Sequence, residues 1–325
     1  MIAVAGKLAI ALGFLLGATL PSLAQDAWPA RPVTVIVPFA AGGNTDVVAR
    51  IFSERLSQRL GRQFVIENRT GAGGSTGIAN MVKAAPDGYT IGVVTAGTLY
   101  IIPHIYKDKL GYDGLRDLRP LAIVGYQPNV LVVHPKIPAK TVPEFFAYLK
   151  TNPDKDSYGS SGVGTSQHLC MELIVQHTGA RIAHVPYRAS NQIMQDLISG
   201  QIQMTCDQFS TANEQVKAGN ARMLAVTSLK RYPAVPDVPA MAETVPGFDV
   251  TWYAVFIAPI GVPAAINARL TAELVAITKE PEMLKRLDEL GVTPSSVSGP
   301  ELEAQIKADY ATWQPIVEKA KIPPP

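Results

Sequence analysis

One arrangement recurs along this chain and limits what it can fold into: a short β-branched apolar run, a loop of glycine and small polar residues, then an amphipathic helix. Val33-Thr34-Val35-Ile36-Val37 lies between Pro32 and Pro38 and predicts a buried strand. The loop of residues 39–46, with Gly42-Gly43, follows it. Residues 47–60 then predict a helix with Val47, Val48, Ile51, Leu56 and Leu60 for its buried face. Asn44 or Thr45 is suited to cap it, Asp46 complements its positive end, and Gly61 stops it. The pattern returns with a strand at 64–67, a glycine-rich loop at 68–77 and a helix at 78–84. Pro86-Asp87-Gly88 is a turn, and residues 89–94 are a third strand ending in the small polar loop Thr95-Ala96-Gly97-Thr98. Such alternation predicts an α/β fold with parallel strands.

The middle of the chain repeats the design. Strands are predicted at 121–124 and 130–133, either side of Gln127-Pro128-Asn129, and a helix at 142–150. Ser157-Tyr158-Gly159-Ser160-Ser161-Gly162 leads through Gly164 into a helix containing Leu169, Leu173 and Ile174. Residues 183–186 end a strand, and Ile193, Met194, Leu197 and Ile198 share a helix face that Gly200 terminates. Residues 202–206 alternate as a strand that delivers Asp207 at its end, and 224–227 form another. Residues 233–246 hold too many prolines for a helix or a sheet interior and predict an ordered crossing between two lobes. A strand at 252–258 and two closing helices follow. Ile266, Leu270, Leu274 and Ile277 mark the first; Leu302, Ile306, Tyr310 and Trp313, before Pro315, mark the second.

Residues 1–24 have a different character. Lys7 is the only charge before Asp26, residues 8–20 are apolar or small, and Pro21 precedes Ser22-Leu23-Ala24. That is the pattern of a secretory signal peptide cut near Ala24, and the apolar run is too short for a spanning helix of about 20 residues. The expected product is exported and begins at Gln25. A net charge of +2, with no run of five basic residues, gives no field for nucleic acid. In an oxidising compartment Cys170 and Cys206 are compatible with one disulfide or with two buried thiols.

Glycine, serine and threonine collect at 41–45, 71–77, 95–98 and 160–165, each after a strand and before a helix. Ligands of open parallel sheets bind beyond the carboxyl ends of strands. Helix N-termini there offer free N–H groups and a partial positive charge. Four such loops predict an anion site built from backbone. Phosphate motifs are missing: GxxxxGK[ST] is absent, and Gly71-Ala72-Gly73-Gly74-Ser75-Thr76-Gly77 places Thr76 where GxGxxG needs its last glycine. A carboxylate fits a site with few basic groups. Arg50, Arg69 and Arg188 lie near the loops and read as surface or lobe-bridging charges.

Several stretches resemble one family. They are Pro38-Phe39-Ala40-Ala41-Gly42-Gly43-Asn44-Thr45-Asp46, Asn68-Arg69-Thr70-Gly71-Ala72-Gly73-Gly74, Pro86-Asp87-Gly88-Tyr89-Thr90, Val185-Pro186-Tyr187 and Pro236-Asp237-Val238-Pro239. The chain is similar to the periplasmic receptors of tripartite tricarboxylate transporters, the Bug family. The resemblance implies a type II periplasmic-binding fold, with two α/β lobes joined by two crossing segments and a ligand cleft between them. Its expected division is 25–127 for lobe one, 128–228 for lobe two, and 229–325 for the second crossing and the rest of lobe one. It also implies a monomeric binding protein, not an enzyme, that takes a small organic carboxylate to membrane permease subunits without a cofactor. The ligand contacts it implies are Phe39, Ala41, Gly42, Gly43, Asn44, Ser160, Ser161, Thr165, His168 and Asp207; Ser75 and Thr95 join them from the other two loops. Ala40-Ala41 and Asn44 depart from the proline and hydroxyl residues common around the family's first glycine pair, which bears on ligand identity.

His168 is open to two roles, donor to a carboxylate or satisfied structural histidine. Asp207 repels an anion unless it accepts from a ligand hydroxyl, amine or water, or caps the next helix. A hydrolase would set Ser161 beside His168 and an orienting acid, although Gly159-Ser160-Ser161-Gly162 does not fit GxSxG. His134, His168, His177 and His184 lack HExxH-type spacing, so no metal site is expected. A receptor that docks on a signalling protein is a further alternative.

Overall fold

A computed structural model describes residues 28–188, 190–320 and 322; the expected signal peptide lies outside them. The first body begins β1 (Val33–Val37), α1 (Asn44–Leu60), β2 (Phe64–Asn68), α2 (Ser75–Val82), β3 (Thr90–Thr95) and α3 (Ile102–Tyr106). β1 pairs in parallel with both β2 and β3, as the alternation predicts. The residues at 97–101 are not a loop: Gly97–Ile101 is a buried π-helical turn running straight into α3. The chain then enters β4 (Leu118–Val133), one strand of 16 residues where the sequence suggested two. Pro128 does not break it, because it sits where β4 leaves one sheet for another, its last partner in the first being Thr251.

The second body holds α4 (Val142–Thr151), β5 (Ser157–Ser160), α5 (Ser166–Thr178), β6 (Ala183–Pro186), α6 (Ser190–Ser199), β7 (Met204–Gln208), α7 (Phe209–Lys217) and β8 (Arg222–Val226). The far end of β4 pairs antiparallel with β7 and β8, while β5 runs parallel to β6 and β7. The proline-rich segment returns the chain to β9 (Thr251–Pro259), which lies antiparallel between β3 and β4. Both sheets are therefore mixed rather than purely parallel. α8 (Ala264–Ile277), α9 (Pro281–Glu289), β10 (Thr293–Pro294) and α10 (Gly299–Ala320) follow. Three helices close the chain, not two: α9 is short and opens on Pro281, which is suited to a first helical turn. α10 also continues through Pro315 instead of ending before it.

We refer to the bodies on these sheets as lobe one and lobe two. They share more than the crossing strands. A Cβ at Gly73 would lie 2.3 Å from the Val163 carbonyl, and one at Gly97 would lie 2.5 Å from that of Gly164. These glycines let backbone of one lobe rest on backbone of the other. Gly73 and Gly97 thus serve lobe-to-lobe contact, a role that the reading of 71–77 and 95–98 as ligand loops does not foresee. Ile102 and Ile105 pack on Gly164 beside them. Cys170 and Cys206 are joined, which ties α5 to β7 inside lobe two. Among the described residues no helix is long and apolar enough to cross a membrane.

Candidate functional site

A cleft lies between the lobes, walled by the start of α1, the end of β3, the start of α5, Arg188, Ser190, the end of β7 and Trp252 of β9. Its lobe-one wall is the loop at 39–45, which Asp46 holds in shape. The buried Asp46 carboxylate accepts from the Gly42 N–H at 2.9 Å, from Arg50 Nε at 2.8 Å and Nη2 at 3.0 Å, and from Asn68 Nδ2 at 2.8 Å. Asn68 Nδ2 also donates to the Phe39 carbonyl, so the loop is fastened at both ends. Burial alone would raise the Asp46 pKa. The bonds from Arg50, Asn68 and Gly42 outweigh it and hold the carboxyl below its ordinary range.

α1 begins one turn earlier than its apolar pattern suggests. Its N-cap is Gly43, with no side-chain cap, and Asn44 and Thr45 are helical rather than capping. Asn44 is committed elsewhere: its Nδ2 donates at 2.9 Å to Gln127 Oε1 on the crossing strand, which also accepts from Ser210 of lobe two. Among the described residues, no acceptor meets the Asn44 or Thr45 backbone N–H, and both residues line the cleft.

The lobe-two wall faces this one with a second helix start. Thr165 caps α5: its Oγ1 accepts from the His168 N–H at 3.4 Å and donates to the Gly162 carbonyl at 2.8 Å. Ser166 and Gln167, the next residues of α5, also line the cleft. Two helix N-termini from opposite lobes thus converge on one space, each adding partial positive charge. No carboxylate is among the lining residues. The one formal charge there is Arg188, whose guanidinium has no partner among the described residues. Arg50 and Arg69 are spent on Asp46 and Glu67.

Of the residues expected to contact a ligand, Phe39, Gly43, Asn44, Thr95, Ser161 and Thr165 line this cleft. Ala41 and Gly42 are exposed outside it. Ser75 is turned to its own loop, donating to the Ala72 carbonyl at 3.0 Å. Ser160 is buried behind the wall, with Oγ 2.7 Å from His184 Nε2. His168 is buried too: its Nδ1 accepts from the Gly164 N–H at 3.3 Å, and its ring centre lies 4.3 Å from that of His184. Burial, with His184 beside it, pushes the His168 pKa down to about 3, and burial pushes His184 to about 4, so both are neutral near pH 7. Of its two open roles, His168 takes the structural one. Ser161 Oγ lies 3.4 Å from Ser190 Oγ, so the Ser161–His168 pairing a hydrolase needs is not formed.

Asp207 lies within β7, fully buried, and does not reach the cleft. Its Oδ1 accepts from Gln167 Nε2 and, at 2.8 Å, from the Gln208 N–H. Burial raises its pKa to about 7. The lining residues that sequence reasoning missed are chiefly Gln167, Ser190, Gln208 and Trp252. The rule that selected Asp207, position at the carboxyl end of a strand, applies better to Gln208, which is the last residue of β7.

Two mixed α/β lobes on a shared strand, with a polar cleft between them, define the architecture of a periplasmic binding protein. Residues 48–322 match the family model described as "Tripartite tricarboxylate transporter family receptor", and the chain belongs to that family. It is similar to the periplasmic binding protein BugD, with 34% identity over 91% of this chain and 99% of that one and a TM-score of 0.85. It is similar to Rpa4515 of R. palustris, solved with adipate, at 33% identity, 92% and 100% coverage and a TM-score of 0.85. It also resembles MatC of Rhodopseudomonas palustris, solved with malate, at 31% identity, 89% and 99% coverage and a TM-score of 0.82.

Proposed function

We propose that this chain is a periplasmic receptor that closes on a small organic carboxylate and delivers it to the membrane subunits of a tripartite tricarboxylate transporter. The observation that carries the reading is the convergence of two helix N-termini, with unpartnered N–H groups on α1, on a cleft lined by one guanidinium and no carboxylate. Such a site attracts an anion through backbone dipoles. The adipate and malate held by two similar proteins support the class of ligand. In this reading residues 1–24 are removed on export, 25–127 with 229–325 form one lobe and 128–228 the other, and the protein acts as a monomer. A bound acid favours the closed form by its differential affinity for it.

A thermal-shift screen of the chain from Gln25 tests this, with mono-, di- and tricarboxylates, amino acids and neutral sugars. A true ligand at 100 times its Kd stabilises by about 2.7 kcal/mol. A shift with a sugar and none with any acid overturns the reading. Gly43→Val is the companion variant. Gly43 has φ −74°, and an added Cβ meets only the Ala40 carbonyl at 3.4 Å, so the fold tolerates it. Valine there fills the cleft beside the open N–H groups. Binding is expected to fall at least tenfold with little change in melting temperature.

A further inference from the structure

The lobe-two wall contains a chain of hydrogen bonds whose direction is fixed at one end. The Ser161 backbone N–H donates to Gln167 Oε1 at 2.6 Å. A backbone N–H can only donate, so Gln167 must turn its oxygen to Ser161 and its Nε2 the other way. That Nε2 has three oxygens within reach of its two hydrogens: Asp207 Oδ1, Ser190 Oγ at 2.9 Å and Gln208 Oε1 at 3.2 Å. Ser190, having accepted from Gln167, donates its own hydrogen to Gln208 Oε1 at 2.9 Å. Gln208 Oε1 therefore takes the Ser190 hydroxyl and a share of a Gln167 N–H, and its amide nitrogen lies on the opposite side. Gln208 lines the cleft. Its Nε2 has no acceptor among the described residues and is not among the side-chain atoms sealed away without a partner. The amide nitrogen is thus offered to the cleft by a side chain that cannot flip without setting its Nε2 against the Gln167 Nε2, donor against donor.

We infer that Gln208 is a specificity-determining residue of the cleft, a fixed donor to an oxygen of the bound acid, and that Gln167 is the positioning residue that sets its sense. The inference rests on the carboxylate reading and deepens it. An unconstrained glutamine presents either end of its amide and serves a ligand amine as well as a ligand oxygen. Here the Ser161 N–H removes that choice two links away, and the cleft selects an acceptor over a donor at this point. Asp207 has a matching part: fully buried, it anchors Gln167 and the Gln208 backbone and leaves recognition to its neighbour.

The test uses the chain from Gln25, isothermal calorimetry, and malate, adipate and their diamides as probes. Gln208→Glu has the same shape and no donor. Its affinity for whichever acid binds the wild type is expected to fall roughly 10- to 100-fold, the loss for a hydrogen bond to a charged group. Affinity for the corresponding diamide is expected to hold or rise, because an amide N–H can donate to the new carboxylate. Gln167→Leu frees the Gln208 amide to turn, so the acid-to-diamide ratio narrows; a merely structural defect would weaken both probes alike and leave the ratio unchanged. NMR on the unaltered, ¹⁵N-glutamine-labelled protein guards against misfolded variants. Titration with the bound acid should move the Gln208 side-chain amide pair more than the Gln167 pair. Unchanged acid affinity in Gln208→Glu, or a still Gln208 pair during acid binding, overturns the inference and leaves the carboxylate reading standing. A wild type that binds none of a broad panel of acids overturns both.

Discussion

The two loops that face each other across the cleft are held in shape by opposite electrostatic means. In lobe one the loop at 39–46 is gathered around an ionised group, Asp46, whose carboxylate receives a backbone N–H, an asparagine amide and a half-exposed arginine. In lobe two the loop at 160–168 is gathered around neutral groups. These are Thr165 as a cap, Gln167 as a relay, two histidines kept uncharged, and an aspartate whose proton burial helps retain. The difference follows from access to water. Arg50 keeps contact with solvent, so the Asp46 charge is compensated without desolvating both partners. The lobe-two groups lie deeper, and there the cheaper solution is to carry no charge. In both cases the cleft keeps its positive character from helix ends. The loops should therefore respond to acid over different pH ranges and to different substitutions.

The largest expected effect is acid lability of lobe two. The unfolded chain protonates His168 and His184 near 6.5, whereas the folded chain resists until about 3 and about 4. A histidine with a lowered folded pKa contributes stability that is complete above 6.5 and is lost as pH falls toward the folded value. By pH 4.5 the pair withdraws on the order of 4 kcal/mol. Urea unfolding of the wild type and of His168→Gln/His184→Gln at pH 7.5, 6.0 and 4.5 checks this, the double variant losing much less on acidification. Equal acid slopes would remove the histidines from the account of lobe two.

Asp46→Ala is the corresponding break in lobe one. It strips the acceptor from the Gly42 N–H and Asn68 and is expected to cost about 3 kcal/mol at pH 7, with a loss of acid binding as the loop loosens. Arg50→Ala should cost about 1 kcal/mol or less, because half of that side chain is in water. The Asp46 pKa is lowered on folding, so its stabilisation is present above the unfolded value of 3.8 and is lost as pH falls through the folded one. The gap between wild type and Asp46→Ala, measured by thermal melting, should close in strong acid.

This contrast also explains which parts of the molecule could be read from sequence. β1, β2 and β3 were legible because β-branched runs bounded by proline or glycine report burial locally. The first loop was legible as a wall of the cleft because its glycines precede a helix whose N–H groups stay open. The start of α1 was missed because Asn44, a good capping residue, is held by Gln127, 83 positions away. The glycines at 73 and 97 signalled close approach, but not that the approaching group is the backbone at Val163 and Gly164 rather than a ligand. Gln167, Ser190 and Gln208 carry no local pattern; their meaning arises from three segments that meet only in the folded lobe. The family resemblance supplied Ser161 and Thr165 on the cleft wall, together with Ser160 and His168, which stand behind it.

Asp207→Asn has a small expected effect and is the most discriminating variant, because its sign should change with pH. Burial raises the folded pKa of Asp207 to about 7 from an ordinary value of 3.8. An acid with a raised folded pKa contributes stability that is complete below the unfolded value and is lost as pH rises through the folded one. At pH 8 the wild type must bury a carboxylate, and the shift corresponds to about 4 kcal/mol of penalty. Asparagine removes that penalty and still presents an oxygen to Gln167 and the Gln208 N–H. Its amide nitrogen, however, takes the place of Oδ2, which has no partner among the described residues, and an unpaired buried amide costs about 1–3 kcal/mol. The variant should therefore be more stable than the wild type by about 1–2 kcal/mol at pH 8 and less stable by about 1 kcal/mol at pH 4.5, where protonating the wild-type carboxyl still costs about 1 kcal/mol. Denaturant midpoints at the two pH values decide it. A variant less stable at both would mean that Asp207 is ionised and compensated in the folded protein, and lobe two would then be organised around a charge, as lobe one is.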